Sequence, residues 1–145
     1  MACLITSEAV ETIRRHSISE YPRESCGLLL GRDAHPIRRV DYAVSAANVD
    51  AAASRRFTIA PDDFLAAERA ARARGIEVVG FYHSHPDGEA LPSRSDVLEG
   101  WEHYTYLIVS VRQGRALDPR GFRLKGGTFV EEPIVVSDPS PEGTP

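Results

Sequence analysis

The segment from Glu77 to Tyr82 restricts the fold of this chain more than any other. Nearly all of its residues are apolar, a pattern typical of a strand that is buried on both faces. The apolar run leads directly into His83-Ser84-His85-Pro86. Polar side chains therefore emerge at the carboxyl end of the strand, where α/β sheets often carry ligand sites.

The rest of the pattern predicts helices and strands around this central segment. A helix is expected from Ser7 to His16, with Val10 and Ile13 on one face. A second helix begins at Pro61 and ends before Gly75. A brief third helix is expected from Ser93 to about Gly100. Further strands are predicted at 24–31 and 37–46, which form a hairpin, and at 104–111, 116–124 and 128–136.

The chain of 145 residues fits one domain. We expect residues 1–136 to form this domain. Residues 137–145 are rich in Ser, Pro, Glu and Gly, a composition that predicts a disordered tail.

Charge and composition exclude several classes of function. A net charge of −4 gives no field that could neutralise phosphates, so we expect no nucleic-acid partner. The first residues show neither a basic segment nor a long apolar run, which predicts no signal peptide, no membrane span and a cytoplasmic location. Cys3 and Cys26 are too few and too far apart for a disulfide framework and suit a reducing compartment.

The two histidines at the end of the central strand are candidate metal ligands. Side chains at i and i+2 of a strand point to the same face, so His83 and His85 can approach one ion. Asp96 arrives from the next element and supplies a third ligand. Three protein ligands leave the fourth position of a zinc ion open to water, whose pKa then falls to about 7. This chemistry is typical of a hydrolase.

Each of these features also has a structural explanation when taken alone. Ser93-x-x-Asp96 is a helix-capping signature, and His83-Ser84-His85 could be an ordinary polar loop. Glu24 could be an exposed acid before a strand. Their coincidence at the end of one buried strand favours a metal site. The two interpretations of Ser93 are compatible, because a capping serine can still present its hydroxyl to the site.

Together these residues resemble the JAMM motif of the MPN-domain metalloproteases, in their small bacterial form. The shared pattern is Glu24 on an early strand, then His83-x-His85-Pro86, six intervening residues and Ser93-x-x-Asp96. The segment 22–31 is also similar to the opening of the small bacterial members. The resemblance covers residues 4–136. It implies the α/β MPN fold, a single mixed β-sheet flanked by helices, which is similar to the fold of the cytidine deaminases.

The resemblance implies a role for each residue of the motif. It makes His83, His85 and Asp96 the ligands of one zinc ion per chain. Glu24 becomes the general acid/base, since the attacking water must lose a proton and the leaving amine must gain one. Ser93 would hydrogen-bond the oxyanion. Cys26 lies two residues from Glu24 and could approach the metal as a thiolate, although a buried cysteine is more commonly a core residue.

The implied activity is that of a zinc-dependent peptidase or isopeptidase. It would cleave after the C-terminal Gly-Gly of a ubiquitin-like β-grasp protein, a sulfur carrier in compact bacterial relatives, by attack of a zinc-activated water. The released group would be an amino acid such as cysteine or a short extension. The insertions with which larger members grip ubiquitin are absent.

Two alternatives come from other functional classes. One is a non-catalytic MPN scaffold for protein assembly, which usually lacks one or more ligands, whereas here none is missing. The other is a zinc hydrolase of a small-molecule amide or nucleobase, which predicts a Cys-Pro-Cys ligand set that this chain does not contain. The sequence leaves the oligomeric state open.

Overall fold

A computed structural model describes residues 2–94, 96 and 100–137 of the protein. Within these residues two long helices accompany a nine-stranded sheet. The helices are α1 (Ser7–Glu20) and α2 (Pro61–Ala73). The strands are β1 (Ala2–Ile5), β2 (Cys26–Ala34), β3 (Ile37–Ala46), β4 (Glu77–Pro86), β5 (Thr105–Arg112), β6 (Arg115–Ala116), β7 (Arg120–Lys125), β8 (Thr128–Glu132) and β9 (Ile134–Val136). No helix in the described part of the chain is long and apolar enough to cross a membrane.

The sheet is mixed, and β4 lies near its centre. The strands follow the order β8-β7-β5-β4-β2-β3-β1-β9, and the short β6 pairs with β5. β4 is antiparallel to β2 and parallel to β5. The predicted hairpin is confirmed, since β2 and β3 are antiparallel neighbours from Ala34 and Ile37 onward. The predicted α/β class with a mixed sheet and flanking helices is therefore confirmed.

Both faces of the sheet are covered by apolar side chains. On one face Val10 and Ile13 of α1 pack with Leu29 and Tyr82. On the other face the core contains Leu28, Leu30, Ala67, Ala71 and Phe81, of which Ala67 and Ala71 belong to α2. The alternation along β2 sends successive leucines to opposite sides, as the pleat of a strand requires. β4 is thus buried on both faces, as its apolar sequence predicts.

The two ends of the sheet are linked by a single proline. The sequence predicts one strand over 128–136, but Pro133 divides it into β8 and β9. Proline has no N–H for a strand ladder, which favours a break at this position. β8 pairs with β7 at one end of the sheet, whereas β9 runs parallel to β1 at the other. The sheet therefore curls towards a barrel.

Several other boundaries differ from the sequence prediction. α1 continues to Glu20, because the first proline that disfavours a helix is Pro22. β2 begins at Cys26, so Glu24 precedes the strand. β1 was not predicted, and the predicted strand 116–124 is divided into β6 and β7. In the predicted helix from Ser93 to Gly100, residues 95 and 97–99 lie outside the described residues, as do residues 138–145 of the expected tail.

A network of charged and polar side chains, most of them buried, connects several strands of the sheet. Arg38 is fully buried and donates to Asp33 at 2.9 Å and to the hydroxyl of Thr105 at 3.2 Å. Thr105 donates to Glu132 at 2.9 Å, and Arg123 donates to the second carboxylate oxygen of Glu132 at 3.0 Å. Breaking one partner of such a buried pair costs about 3–5 kcal/mol. These contacts fix β3, β5, β7 and β8 in one register.

We expect Gly80→Ala to destabilise the protein strongly, because β4 and β5 approach too closely for a side chain. A Cβ at Gly80 would lie 2.0 Å from the carbonyl oxygen of Thr105. The expected loss in the free energy of unfolding is roughly 3 kcal/mol. Gly114→Ala is the control: its Cβ meets no atom within 4 Å, and only its positive φ of 79° opposes the change. Similar losses in urea unfolding would contradict this packing.

Candidate metal centre

Three side chains converge at the carboxyl end of β4. The Nε2 atom of His83 lies 3.1 Å from Nε2 of His85 and 3.1 Å from Oδ2 of Asp96. Nε2 of His85 lies 3.4 Å from the same carboxylate oxygen. These three ligand atoms all lie within 4.8 Å of one another. The structure therefore brings together the three residues that the sequence nominates as zinc ligands; their role as ligands stays a prediction.

The surroundings of both histidines direct Nε2 into the cluster. Nδ1 of His85 lies 2.7 Å from the carbonyl oxygen of Glu89, which can only accept a hydrogen bond. Nδ1 therefore carries a proton. Burial lowers the pKa of His85, but its hydrogen bonds to Asp96 and Glu89 outweigh that effect and raise it, and a metal would replace the proton on Nε2. His83 is 1% exposed and stacks on Phe57, and burial lowers its pKa despite the opposing hydrogen bond to Asp96.

Asp96 is held by a reciprocal capping arrangement with Ser93. The amide of Ser93 donates to Oδ2 of Asp96 at 2.8 Å, and the amide of Asp96 donates to Oγ of Ser93 at 3.1 Å. Burial raises the pKa of Asp96, but its hydrogen bonds to His83 and His85 outweigh that effect and hold it well below the ordinary value. Asp96 is thus an anion in the cluster. Ser93 accepts with Oγ and keeps its hydroxyl proton available.

Glu24 lies beside this cluster in a nearly dry environment. Its side chain is not part of the group of three ligands, and the residue is 5% exposed. Burial raises the pKa of Glu24 to about 7; His85 opposes the rise, and Asp96 and Asp50 add to it. A carboxyl group that titrates near neutral pH can both accept and donate a proton there. The geometry suits a proton carrier next to a metal.

Asn48 organises the backbone that carries Glu24, and sequence reasoning did not identify it. Its amide nitrogen donates to the carbonyls of Glu24 and Arg56, both at 2.9 Å. Its side-chain oxygen accepts from the amides of Asp50 and Thr58. The buried Asn48 thus joins the Glu24 segment to the loop before α2. Asn48 opens a small, polar stretch that reads as an ordinary loop, so its sequence carries no specific signal.

The structure does not support a role for Cys26 as a metal ligand. Cys26 pairs with His83 across the β2–β4 ladder, so it shares the face of the cluster, as its spacing from Glu24 predicts. Its sulfur is nevertheless absent from the group of converging ligand atoms, and it contacts the carbonyl of Ala46 at 3.9 Å. Burial raises the pKa of Cys26 to about 12, so the thiol stays protonated. Cys26 is a core residue.

A mainly apolar cavity adjoins the cluster. Its volume is about 300 Å³, and His83 and Asp96 form part of its wall. Its aromatic lining comprises Phe57, Phe64, Phe81, Trp101, Tyr106 and Phe129. Low polarity beside a charged centre strengthens electrostatic interactions within it. The cluster therefore lies at the edge of a cleft that could hold an apolar part of a substrate.

Comparison with known families agrees with this geometry. The model for prokaryotic homologues of the JAB domain matches residues 6–124, which is most of the chain. The chain belongs to this family. The resemblance to the small bacterial JAMM/MPN metalloproteases is thereby confirmed, and the chain is a hydrolase of the peptidase class.

Individual relatives support the same assignment. The chain is 34% identical over 113 residues to a probable TtuB-protein conjugate cleaving protease of Thermus thermophilus, covering 77% of this chain and 73% of that protein. It is 28% identical to the CysO-cysteine peptidase of Mycobacterium tuberculosis over 134 residues, covering 92% and 90%. A solution structure of a Desulfitobacterium hafniense protein superposes with a TM-score of 0.84 at 29% identity, covering 94% of each chain.

The donor set fits a zinc ion. Two imidazole nitrogens and one carboxylate oxygen are common zinc ligands, and three of them leave a position for water. His85 also has the hydrogen bond from its second ring nitrogen that orients metal-binding histidines. Nδ1 of His83 is buried without a hydrogen-bond partner in the described structure, which leaves Nε2 as the polar contact of that ring.

We expect Glu24→Gln to stabilise the metal-free protein at high pH. Burial raises the pKa of Glu24, so the folded state binds this proton more tightly than the unfolded chain does. The stability of the wild type relative to the variant should therefore fall between about pH 4.5 and pH 7 and remain low above that range. Across this range the free energy of unfolding of the wild type should fall by roughly 2–3 kcal/mol relative to that of the variant.

Urea unfolding of both chelator-treated proteins between pH 4 and pH 8 measures this difference. The histidines and Asp96 titrate in both proteins, so subtracting the two curves leaves the contribution of Glu24 together with its interactions with His85 and Asp96. A difference that is independent of pH would show that Glu24 is not buried as the structure places it.

Proposed function

We propose that this protein is a zinc-dependent peptidase or isopeptidase that hydrolyses the bond after the C-terminal Gly-Gly of a ubiquitin-like β-grasp protein. The observation that carries the proposal is the convergence of His83, His85 and Asp96 beside a buried carboxyl group, Glu24. This is the set of groups that amide hydrolysis by an activated water requires. We also infer a cytoplasmic location.

His83, His85 and Asp96 would hold the zinc ion through Nε2, Nε2 and a carboxylate oxygen. When bound, zinc would lower the pKa of a water molecule and polarise the scissile carbonyl. Glu24 would accept the proton of the water and return it to the leaving amine, and its buried position beside His85 and Asp96 suits both steps. Ser93 would donate its hydroxyl proton to the developing oxyanion, since its Oγ already accepts from Asp96.

The names of the relatives support a carrier protein as the substrate. One relative is described as cleaving TtuB-protein conjugates and another as a CysO-cysteine peptidase. In this chain the aromatic ring of Phe57 stacks on His83 at a centroid distance of 4.5 Å, so one wall of the cleft lies against the metal centre. Glycine allows the closest approach of a backbone to such a wall. A Gly-Gly tail therefore suits this centre.

A complete ligand set argues against a scaffold that acts only in protein assembly. All three ligand atoms are present and converge, although a binding domain would have no need of them. A small-molecule amidase remains the second candidate, and the mainly apolar cavity beside His83 is the feature that could accommodate its substrate. The carrier experiment below separates these two activities.

We expect Asp96→Ala and Glu24→Gln to separate metal binding from proton transfer. Asp96→Ala leaves two histidines and should lose the single zinc ion, as measured by elemental analysis of purified protein. Glu24→Gln should keep its zinc, while turnover falls by roughly 10²-fold or more. Glu89→Gln is the matched control, because only the backbone carbonyl of this exposed residue contacts His85. Full zinc occupancy in Asp96→Ala would show that the ligands are misassigned.

We expect cleavage to depend on the glycine pair of the substrate. A β-grasp carrier with a short C-terminal extension should be cleaved after Gly-Gly, whereas replacement of the last glycine by valine should abolish cleavage, because its side chain would meet the wall beside the metal. Mass spectrometry of both fusions, with and without a zinc chelator, measures the products. Equal cleavage of the two fusions, or cleavage that is unaffected by the chelator, would exclude this substrate class.

A further inference from the structure

Three buried serines lie beneath the metal centre on the face of the sheet that α1 covers. Ser17 belongs to α1, Ser25 follows Glu24, and Ser84 lies between His83 and His85. All three serines are fully buried. Oγ of Ser17 lies 2.9 Å from Oγ of Ser25. We call these residues the serine cluster.

The serine cluster joins the Glu24 segment directly to the histidine strand. The β2–β4 ladder ends at the pair formed by Cys26 and His83. Beyond it, the amide of Ser84 donates to the carbonyl of Ser25 at 3.1 Å. The amide of Ser25 donates not to a backbone carbonyl but to Oγ of Ser84, at 2.8 Å. One hydroxyl group thus connects the chain at Glu24 to the chain between the two histidines.

We propose that Ser84 is a positioning residue that sets the place of the Glu24 carboxyl group relative to His83 and His85; this inference rests on the proposed function. Ser84 would act through the amide of Ser25, the residue that follows Glu24. The hydroxyl fixes the separation between the backbone of the proton carrier and the backbone of two metal ligands. The metal ligands and the proton carrier come from different segments, so some such contact must set their spacing.

Loss of the hydroxyl should affect Glu24 more than the histidines. β4 is held along its length by β2 and by parallel pairing with β5, which continues through Ser84, His85 and Pro86. The Glu24 segment lies outside β2. Ser84→Ala would leave the buried amide of Ser25 without its hydrogen-bond acceptor. A buried amide without an acceptor is unfavourable, so the Glu24 segment should shift to find another partner.

A double-mutant cycle on a carrier substrate tests this inference. Ser84→Ala should lower kcat by roughly tenfold, with KM and zinc affinity unchanged, because a small displacement of the proton carrier slows the chemical step. In the Glu24→Gln background the same change should alter the residual kcat by less than about twofold, since no proton carrier remains to be displaced. Equal losses in both backgrounds, or a parallel fall in zinc affinity by chelator competition, would overturn the inference.

Two control variants separate positioning from a general loss of stability. Ser84→Thr retains an oxygen acceptor and should restore kcat. Ile5→Val removes one methylene from the fully buried side of β1, away from the serine cluster, at a cost of about 0.5–1.5 kcal/mol. It should leave kcat unchanged. A loss of kcat in Ile5→Val equal to that in Ser84→Ala would identify the effect as general destabilisation and contradict a positioning role.

Amide hydrogen exchange provides a readout that does not depend on peptidase activity. In Ser84→Ala the amides of residues 24–26 should exchange faster than in the wild type, whereas Ile5→Val should leave their exchange rates unchanged relative to the rest of β2. Unchanged exchange at these amides would overturn the role of Ser84 whatever the substrate is. If no carrier is cleaved but exchange changes as expected, the proposed function fails while the contact between the two segments stands.

Discussion

The burial of β4 on both faces is the constraint on which the rest of the structure depends. A central strand with covered faces is held by two neighbours and two layers of side chains, so its carboxyl end has little freedom to move. His83 and His85 leave this end on one face, and Ser84 leaves on the other. Because the strand is rigid, the Nε2 atoms of His83 and His85 are held in place opposite Asp96.

Around this end, polar groups that water would otherwise satisfy are satisfied by the protein. The carbonyl of Glu89 accepts from His85, the amide of Ser93 donates to Asp96, and Asn48 bonds the backbone of Glu24. Each contact fixes an orientation as well as offsetting a cost of desolvation. Among the described residues, Nδ1 of His83 is one exception, since it is buried without a hydrogen-bond partner. The Glu24 carboxyl group is another, because burial raises its pKa. A group left in this state is suited to exchange a proton.

Local sequence patterns predict the helices, the strands and the metal-ligand motif. They do not predict how segments that are distant in the sequence pair in the sheet. The period of two along β4 places His83 and His85 on one face, and the capping pattern places Asp96 near Ser93. By contrast, the sequence predicts that Pro133 lies within one continuous strand. In the structure it separates β8 and β9, which lie at opposite ends of the sheet. Arg38 lies in an alternating strand, yet it is fully buried and donates to Thr105, far along the chain, which in turn donates to Glu132.

The same residues would couple metal binding to the stability of the fold. Without a cation, an ionised Glu24 would lie in a dry site beside the anion of Asp96, which is unfavourable at and above neutral pH. A divalent cation at the three ligands would reverse this interaction and favour the ionised form of Glu24. The free energy of metal binding would then also stabilise the folded state, since the ligands converge only there. Because burial raises the pKa of Glu24 to about 7 without a metal, a bound cation would shift this titration to lower pH and increase the share of the basic form at neutral pH.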